Sequence, residues 1–212
     1  MNTMRIAFLV SGNGTLFEYI AQQCLRGDIP ASPAVVISSS ATAKALERAA
    51  GLGVPAAVVA RSKGESDDEH AAALRAALQR HDVNFICLAG YLKLVPTSLV
   101  REFQHRMLNI HPALLPAFGG KGMYGRRVHE AVIDYGARVS GATVHLVDEE
   151  FDHGPIVAQR AVFVHPEDNP DTLAERVHAL EFDLYAQAVL WFAQSRVRIN
   201  GRKVSILPLQ ST

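Results

Sequence analysis

Residues 5–10 (RIAFLV) are apolar at five consecutive positions, not at every second one. A strand patterned this way needs cover on both faces, as a central strand of a parallel sheet has, and does not suit a half-solvated hairpin. The run breaks at Ser11-Gly12-Asn13-Gly14, and a helical segment follows over Thr15–Arg26, ending before Gly27. The same unit then repeats. A strand over 34–38 precedes a helix over 43–50, with Gly51 and Gly53 as stop signals. A strand over 56–60 precedes an alanine-rich helix from about Asp67 to Arg80. A fourth strand over 85–89 closes at Gly90, and a short helix starts just after Pro96, since proline suits a first helical turn. Met107–His111 is a fifth strand, ended by Pro112. This rhythm predicts an α/β chain built on an open, mostly parallel twisted sheet with helices on both faces.

Beyond His111 the pattern changes. Residues 116–125 hold four glycines in ten positions and lead to a helix near 127–135. Two β-rich stretches, 141–147 and 156–164, read as antiparallel additions to the sheet in the C-terminal part. A long helix spans about 170–194, and segments 197–199 and 203–207 flank Asn200-Gly201, a hairpin signal. No repeat or linker interrupts the 212 residues, so a single domain is expected. With 49% hydrophobic and 20% charged residues, the chain has the balance of a folded globular protein. Twenty-one basic residues against 21 acidic ones argue against a general nucleic-acid binder. Cys24 and Cys87 are too few and too far apart for a disulfide framework or a CxxC metal site, and read as buried free thiols of a reducing compartment. No run approaches 18 apolar residues, and residues 1–5 are too short to head a signal peptide. The expectation is a cytoplasmic protein without membrane or nucleic-acid partners.

Three segments carry candidate chemistry. Ser11-Gly12-Asn13-Gly14-Thr15 lies between a strand and a helix, where glycines turn the backbone and helix N–H groups favour an anion. It is neither GxGxxG nor a P-loop, so it is either an ordinary tight turn or a phosphate pocket at the carboxyl end of a strand. In Asn109-Ile110-His111, residues two apart on a strand project to one side, pairing an amide donor with an imidazole. Such a pair can polarise a carbonyl and stabilise an oxyanion. The acidic turn Asp148-Glu149-Glu150-Phe151-Asp152 is either a solvated loop or the source of a carboxylate that raises the His111 pKa. Spacing does not choose which carboxylate. His145, His153 and His165 lack HExxH or Cys/His spacing, so no metal is expected.

Taken in order, SGNGT at 11–15, LAGYLKLV at 88–95, NIHPALLPAFGGKGMYG at 109–125 and GATVHLVDEEFDHGPIVAQ at 141–159 resemble the glycinamide ribonucleotide formyltransferases, folate-dependent enzymes of purine synthesis. The resemblance covers nearly the whole chain. It implies direct formyl transfer from 10-formyltetrahydrofolate, as cosubstrate, to the amine of glycinamide ribonucleotide, without a metal. It implies Asn109, His111 and Asp152 as the catalytic trio. Asn109 and His111 would stabilise the oxyanion, and Asp152 would keep His111 protonated near neutral pH. Gly14, Thr15 and Leu16 match the ribonucleotide's phosphate loop, with leucine at 16 where asparagine is expected, and Glu181 matches a residue that contacts the same substrate. Leu92, Lys93, Leu94 and Val95 match the folate-contacting segment. Asn109 and the loop Asp148, Glu149, Glu150, Phe151 and Asp152 match the rest of that pocket. Where some relatives carry an arginine for the folate's glutamate tail, this chain has Asp67, with Arg61 and Lys63 just before it. The resemblance further assigns 1–105 to the phosphate side and 106–212 to the catalytic and folate side, in a monomer or homodimer. It leaves no room for the extra C-terminal RNA-binding domain of methionyl-tRNA formyltransferases or the N-terminal regulatory domain of formyltetrahydrofolate hydrolases. A hydrolase of 10-formyltetrahydrofolate and a non-catalytic folate or nucleotide binder are the competing readings.

Overall fold

Strand β1 (Met4–Val10) buries its last five residues completely, as a strand covered on both faces must. In this computed structural model, which describes residues 3–209, β1 lies between β2 (Ala31–Ser38) and β4 (Phe85–Leu88) and runs parallel to both. Strand β3 (Ala56–Val58) pairs in parallel with β2. The intervening helices are α1 (Thr15–Arg26), α2 (Ala45–Gly51), α3 (Asp67–Arg80) and α4 (Thr97–Glu102). Ser66 and Glu69 close a reciprocal capping box at the start of α3; such a cap is worth about 1 kcal/mol.

The chain continues through β5 (Met107–His111), α5 (Arg126–Asp134), β6 (Val139–Leu146), β7 (Ile156–Phe163) and α6 (Pro170–Ala193), and ends in the hairpin β8 (Val197–Asn200) and β9 (Lys203–Ile206). Seven strands form one mostly parallel sheet in the order β3-β2-β1-β4-β5-β6-β7, with β6 and β7 antiparallel, and β8-β9 form a separate two-stranded sheet. The backbone groups into two compact units, Met1–Leu108 and Asn109–Thr212. Among the described residues no helix is long and apolar enough to cross a membrane.

Three departures from the sequence reading have simple causes. Strand β2 begins at Ala31, not at 34, and runs through Pro33. The register between β1 and β2 slips at this point, Ile6 facing Pro33 and Ala7 facing Val35, so an irregularity absorbs a residue that has no N–H to give. Strand β3 shrinks to three half-exposed residues because it is the edge of the sheet. In the terminal hairpin Asn200 pairs with Lys203, so the two-residue loop is Gly201-Arg202 and not Asn200-Gly201. Gly201, at φ 58, supplies the positive dihedral such a loop needs, and Arg202 is left at the tip.

Candidate active site

In the first unit, β1 and β4 are neighbours although the chain winds away from them in opposite directions, and the loops leaving their carboxyl ends diverge. Open α/β sheets place ligands at such a point. The two loops are tied together by Ser11. Its N–H donates to the Gly90 carbonyl at 3.1 Å, and its hydroxyl accepts the Leu92 N–H at 2.9 Å and meets Ser39 Oγ at 2.7 Å. From α2, the Ala45 N–H and Arg48 Nε hold the Gly12 and Asn13 carbonyls at 3.2 and 2.9 Å. Gly14 sits at φ 70, and a Cβ there would lie 2.4 Å from Ala45 Cβ, so the turn admits only glycine. No side chain caps α1. Its first-turn N–H groups, those of Thr15 and Leu16 included, therefore remain at the positive end of the helix for an anion. Leu16 itself is buried, so only its backbone can face a ligand. Gly14→Ala is expected to raise the KM for a phosphate-bearing substrate about tenfold or more, given the cost of a left-handed L-residue. The KM for the formyl donor should change less, and equal changes in both would separate this loop from phosphate binding.

Of the segment expected to contact folate, Leu92 and Leu94 are 59% and 46% exposed, an unusual display of aliphatic surface beside the glycine turn. Lys93 is exposed as well, whereas Val95 belongs to the core and offers only its backbone. Asp67 pairs with Arg61 at 2.6 Å, and Arg61 also donates to the Glu65 carbonyl at 3.0 Å. The acidic residue at the start of α3 thus holds an arginine in its neighbourhood. Lys63 is exposed.

The second unit brings Asn109, His111 and Asp152 together. Pleating puts Asn109 and His111 on one side of β5, and Asp152 meets both: Oδ2 lies 3.4 Å from His111 Nδ1, and Oδ1 lies 3.5 Å from Asn109 Nδ2. Thr143 on β6 fixes the chain just after His111, donating to the Ala113 carbonyl at 2.6 Å and accepting the Leu115 N–H at 3.0 Å. The Gly120 N–H donates to Asp152 Oδ2 at 3.0 Å. His145, which the sequence offered only as a metal candidate, is the main residue missed. Its Nδ1 donates to the Leu146 carbonyl at 2.8 Å, leaving Nε2 to accept from Asn109 Nδ2 at 3.1 Å. That bond takes one amide hydrogen. The other is held only by the long contact with Asp152 and can turn to a substrate oxygen.

His111 is 3% exposed. Its Nε2 lies 2.8 Å from the Phe118 carbonyl, which can only accept, so Nε2 carries a proton. Burial pushes the His111 pKa below its ordinary value. Asp152, the Phe118 carbonyl and Glu181 pull it up, and the nearby His145 adds to the depression. This corrects the expectation of an imidazolium near neutral pH: Asp152 acts in the expected direction, but desolvation outweighs it. With Nε2 committed to the Phe118 carbonyl, Nδ1 is the nitrogen left to take up a proton, beside the Asp152 carboxylate. Burial also pushes Asp152 up, but His145, His111 and the Gly120 N–H together hold it below the usual carboxylate range, so it stays ionised.

Glu181, on the inner part of α6, is mostly buried and pairs with His178 Nδ1 at 2.7 Å. Its charge reaches both His111 and the buried His129 of α5, whose Nδ1 has no hydrogen-bond partner. Asp148 organises its own loop, accepting the Glu150 N–H at 3.1 Å and pairing with His153 at 2.8 Å. Glu149, Glu150 and Phe151 are exposed. The three histidines considered for zinc do not converge, and no metal-holding group of His, Cys, Asp and Glu occurs among the described residues. Cys24 and Cys87 are buried and not joined in a disulfide, and burial pushes the Cys24 thiol up to about 12, so it has no thiolate to offer as a nucleophile.

Among known proteins, a family profile described as formyl transferase matches residues 4–189 of this sequence. The chain belongs to the formyl transferase family. Among named relatives of this family, "Phosphoribosylglycinamide formyltransferase, chloroplastic" of Arabidopsis thaliana is 43% identical over 92% of the chain, which spans 67% of that protein. Phosphoribosylglycinamide formyltransferase of Haemophilus influenzae is 38% identical over 92% of the chain and 90% of its own length. The crystal structure of glycinamide ribonucleotide transformylase 1 from Symbiobacterium toebii superposes with a TM-score of 0.91 at 41% identity, covering 97% of this chain and 95% of that one.

Proposed function

We propose that this formyl transferase moves the formyl group of 10-formyltetrahydrofolate to the amine of glycinamide ribonucleotide, giving N-formylglycinamide ribonucleotide and tetrahydrofolate in purine biosynthesis. The observation that carries the reading is the contact of one carboxylate, Asp152, with both Asn109 and His111. The names of the full-length relatives support the choice of acceptor.

In the chemistry we propose, the amine nitrogen attacks the formyl carbon and the carbonyl oxygen becomes an oxyanion. The free N–H of Asn109 donates to that oxygen. The amine's proton passes to His111 Nδ1, and the new imidazolium is stabilised by Asp152. On collapse the C–N bond to the folate breaks, and His111 returns the proton to the departing nitrogen. Formyl carbon, proton and charge all balance, and no covalent enzyme intermediate forms. Gly14, Thr15 and Leu16 serve the phosphate through backbone N–H groups, and Glu181 serves the amine or ribose hydroxyls. Leu92, Lys93, Leu94, the Val95 backbone and residues 148–152 serve the folate, and Arg61 takes its acidic tail. We read residues 1–212 as one formyltransferase domain of a cytoplasmic monomer or homodimer acting on small molecules, with no metal. Two buried cysteines outside any disulfide suit a reducing compartment.

The test is a formyl-transfer assay with both substrates, run in parallel without the ribonucleotide. Release of tetrahydrofolate that depends on the ribonucleotide, with formylated product recovered, is the expected result. Formate release at the same rate in both reactions would replace the transferase with a hydrolase, and folate binding without turnover would make the chain a binder.

A further inference from the structure

Asp152 rides on a loop, 147–155, that leaves β6 and returns as β7. The loop closes at its base through the Leu146 N–H to the Pro155 carbonyl at 2.9 Å, and Asp148 braces its interior. Asp152 holds φ 53, a left-handed conformation that an L-residue keeps only where its surroundings impose it. Gly154 is pinned, since a Cβ there would lie 1.8 Å from the Leu146 carbonyl oxygen. Between these two residues the peptide carbonyl of His153 receives one long-range restraint. Arg202 Nη2 donates to it at 2.6 Å, across 49 residues of sequence.

Arg202 stands at the tip of the terminal hairpin, and the hairpin is a firm platform. Strand β9 packs on β7, while the Leu207 N–H donates to the Arg196 carbonyl at 2.8 Å and Arg196 Nε donates to the Leu207 carbonyl at 2.6 Å. The hairpin lies beyond the stretch matched by the family profile, which ends at residue 189. An exposed arginine with a single backbone acceptor adds little to the core, but this acceptor belongs to the peptide directly after the Asp152–His153 pair.

We propose that Arg202 is a positioning residue for the formyl-transfer reaction. By clamping the His153 carbonyl it holds Asp152 against His111 and Asn109, so the C-terminal hairpin sets the geometry of the trio. The inference rests on the function read above, but its test does not depend on turnover alone. The charged and titratable groups facing His111 are Asp152 from the loop, His145 from β6, His129 from α5 and Glu181 from α6. Only Asp152 is attached to the clamped loop.

In Arg202→Ala the His111 ring, followed by NMR through a pH titration of the ligand-free protein, should titrate at lower pH than in wild type, because its carboxylate partner is less firmly held. Arg202→Lys, which keeps one charged donor within reach of a single carbonyl, should restore most of the wild-type midpoint. In the assay, Arg202→Ala should lose about tenfold in kcat/KM for the formyl donor at an unchanged melting temperature, the scale of one charged hydrogen bond. A wild-type His111 midpoint in a folded Arg202→Ala protein would overturn the proposal whatever the rates do. Wild-type protein without ribonucleotide-dependent turnover would instead count against the formyl-transfer reading, and the titration would still decide Arg202.

Discussion

His111→Ala should lower kcat for formyl transfer by about 10²–10⁴-fold, the usual worth of a positioned proton carrier. The ring joins a nitrogen beside the Asp152 carboxylate to a tautomer fixed by a backbone acceptor. Removing it also takes the donor from the partly buried Phe118 carbonyl, at a cost of about 1 kcal/mol of stability. A thermal melt must therefore accompany the kinetics, and His111→Gln serves as a second variant that fills the space and can still donate to Phe118. Both variants are expected to bind ribonucleotide and folate with KM values near wild type, because the ring acts on the reacting atoms more than on substrate docking. A folded His111→Ala protein within about threefold of wild-type kcat would remove His111 from the mechanism.

Asp152→Asn should cost about 10²-fold in kcat and displace the pH–rate profile in a direction that can be worked out beforehand. Burial depresses the His111 pKa and the Asp152 charge opposes that depression. The neutral amide withdraws the opposition, so the His111 pKa falls further. If His111 works as a neutral base, activity rises with pH as the ring loses its proton, and this acidic limb must move to lower pH in the variant. The plateau drops because a less basic nitrogen takes the amine's proton less readily. Asp152 is itself held below the usual carboxylate range, so it stays ionised across the limb and adds no titration of its own there. A lowered plateau with an unmoved limb would mean that Asp152 places groups without tuning the imidazole. A limb moved upward would contradict the electrostatics outright.

The sheet was legible because its central strands are apolar without alternation, and because glycines mark their ends where the chain must turn. Boundaries failed where tertiary context overrode local signals: Pro33 discouraged a strand that a register slip accommodates. At the trio, the spacing of Asn109 and His111 pointed correctly to one side of one strand. The sequence could not reveal His145, since a histidine inside an apolar strand has no local mark of its partner. Nor could it reveal that burial outweighs Asp152 at His111, because that balance depends on how completely the ring is enclosed. The hairpin motif was visible, but its loop was assigned one residue early, and that shift hid the residue at the tip.

The Ser11 hydroxyl couples the two loops of the first unit. Because it accepts from Leu92 while its own residue begins the glycine turn, settling either loop narrows the freedom of the other. Thermodynamic linkage makes such an effect mutual: whatever factor the folate lends to ribonucleotide affinity, the ribonucleotide must lend to the folate. With the phosphate on the glycine turn and the folate on the Leu92 loop, as proposed, a hydroxyl shared by both loops would favour a ternary complex over two independent binary ones.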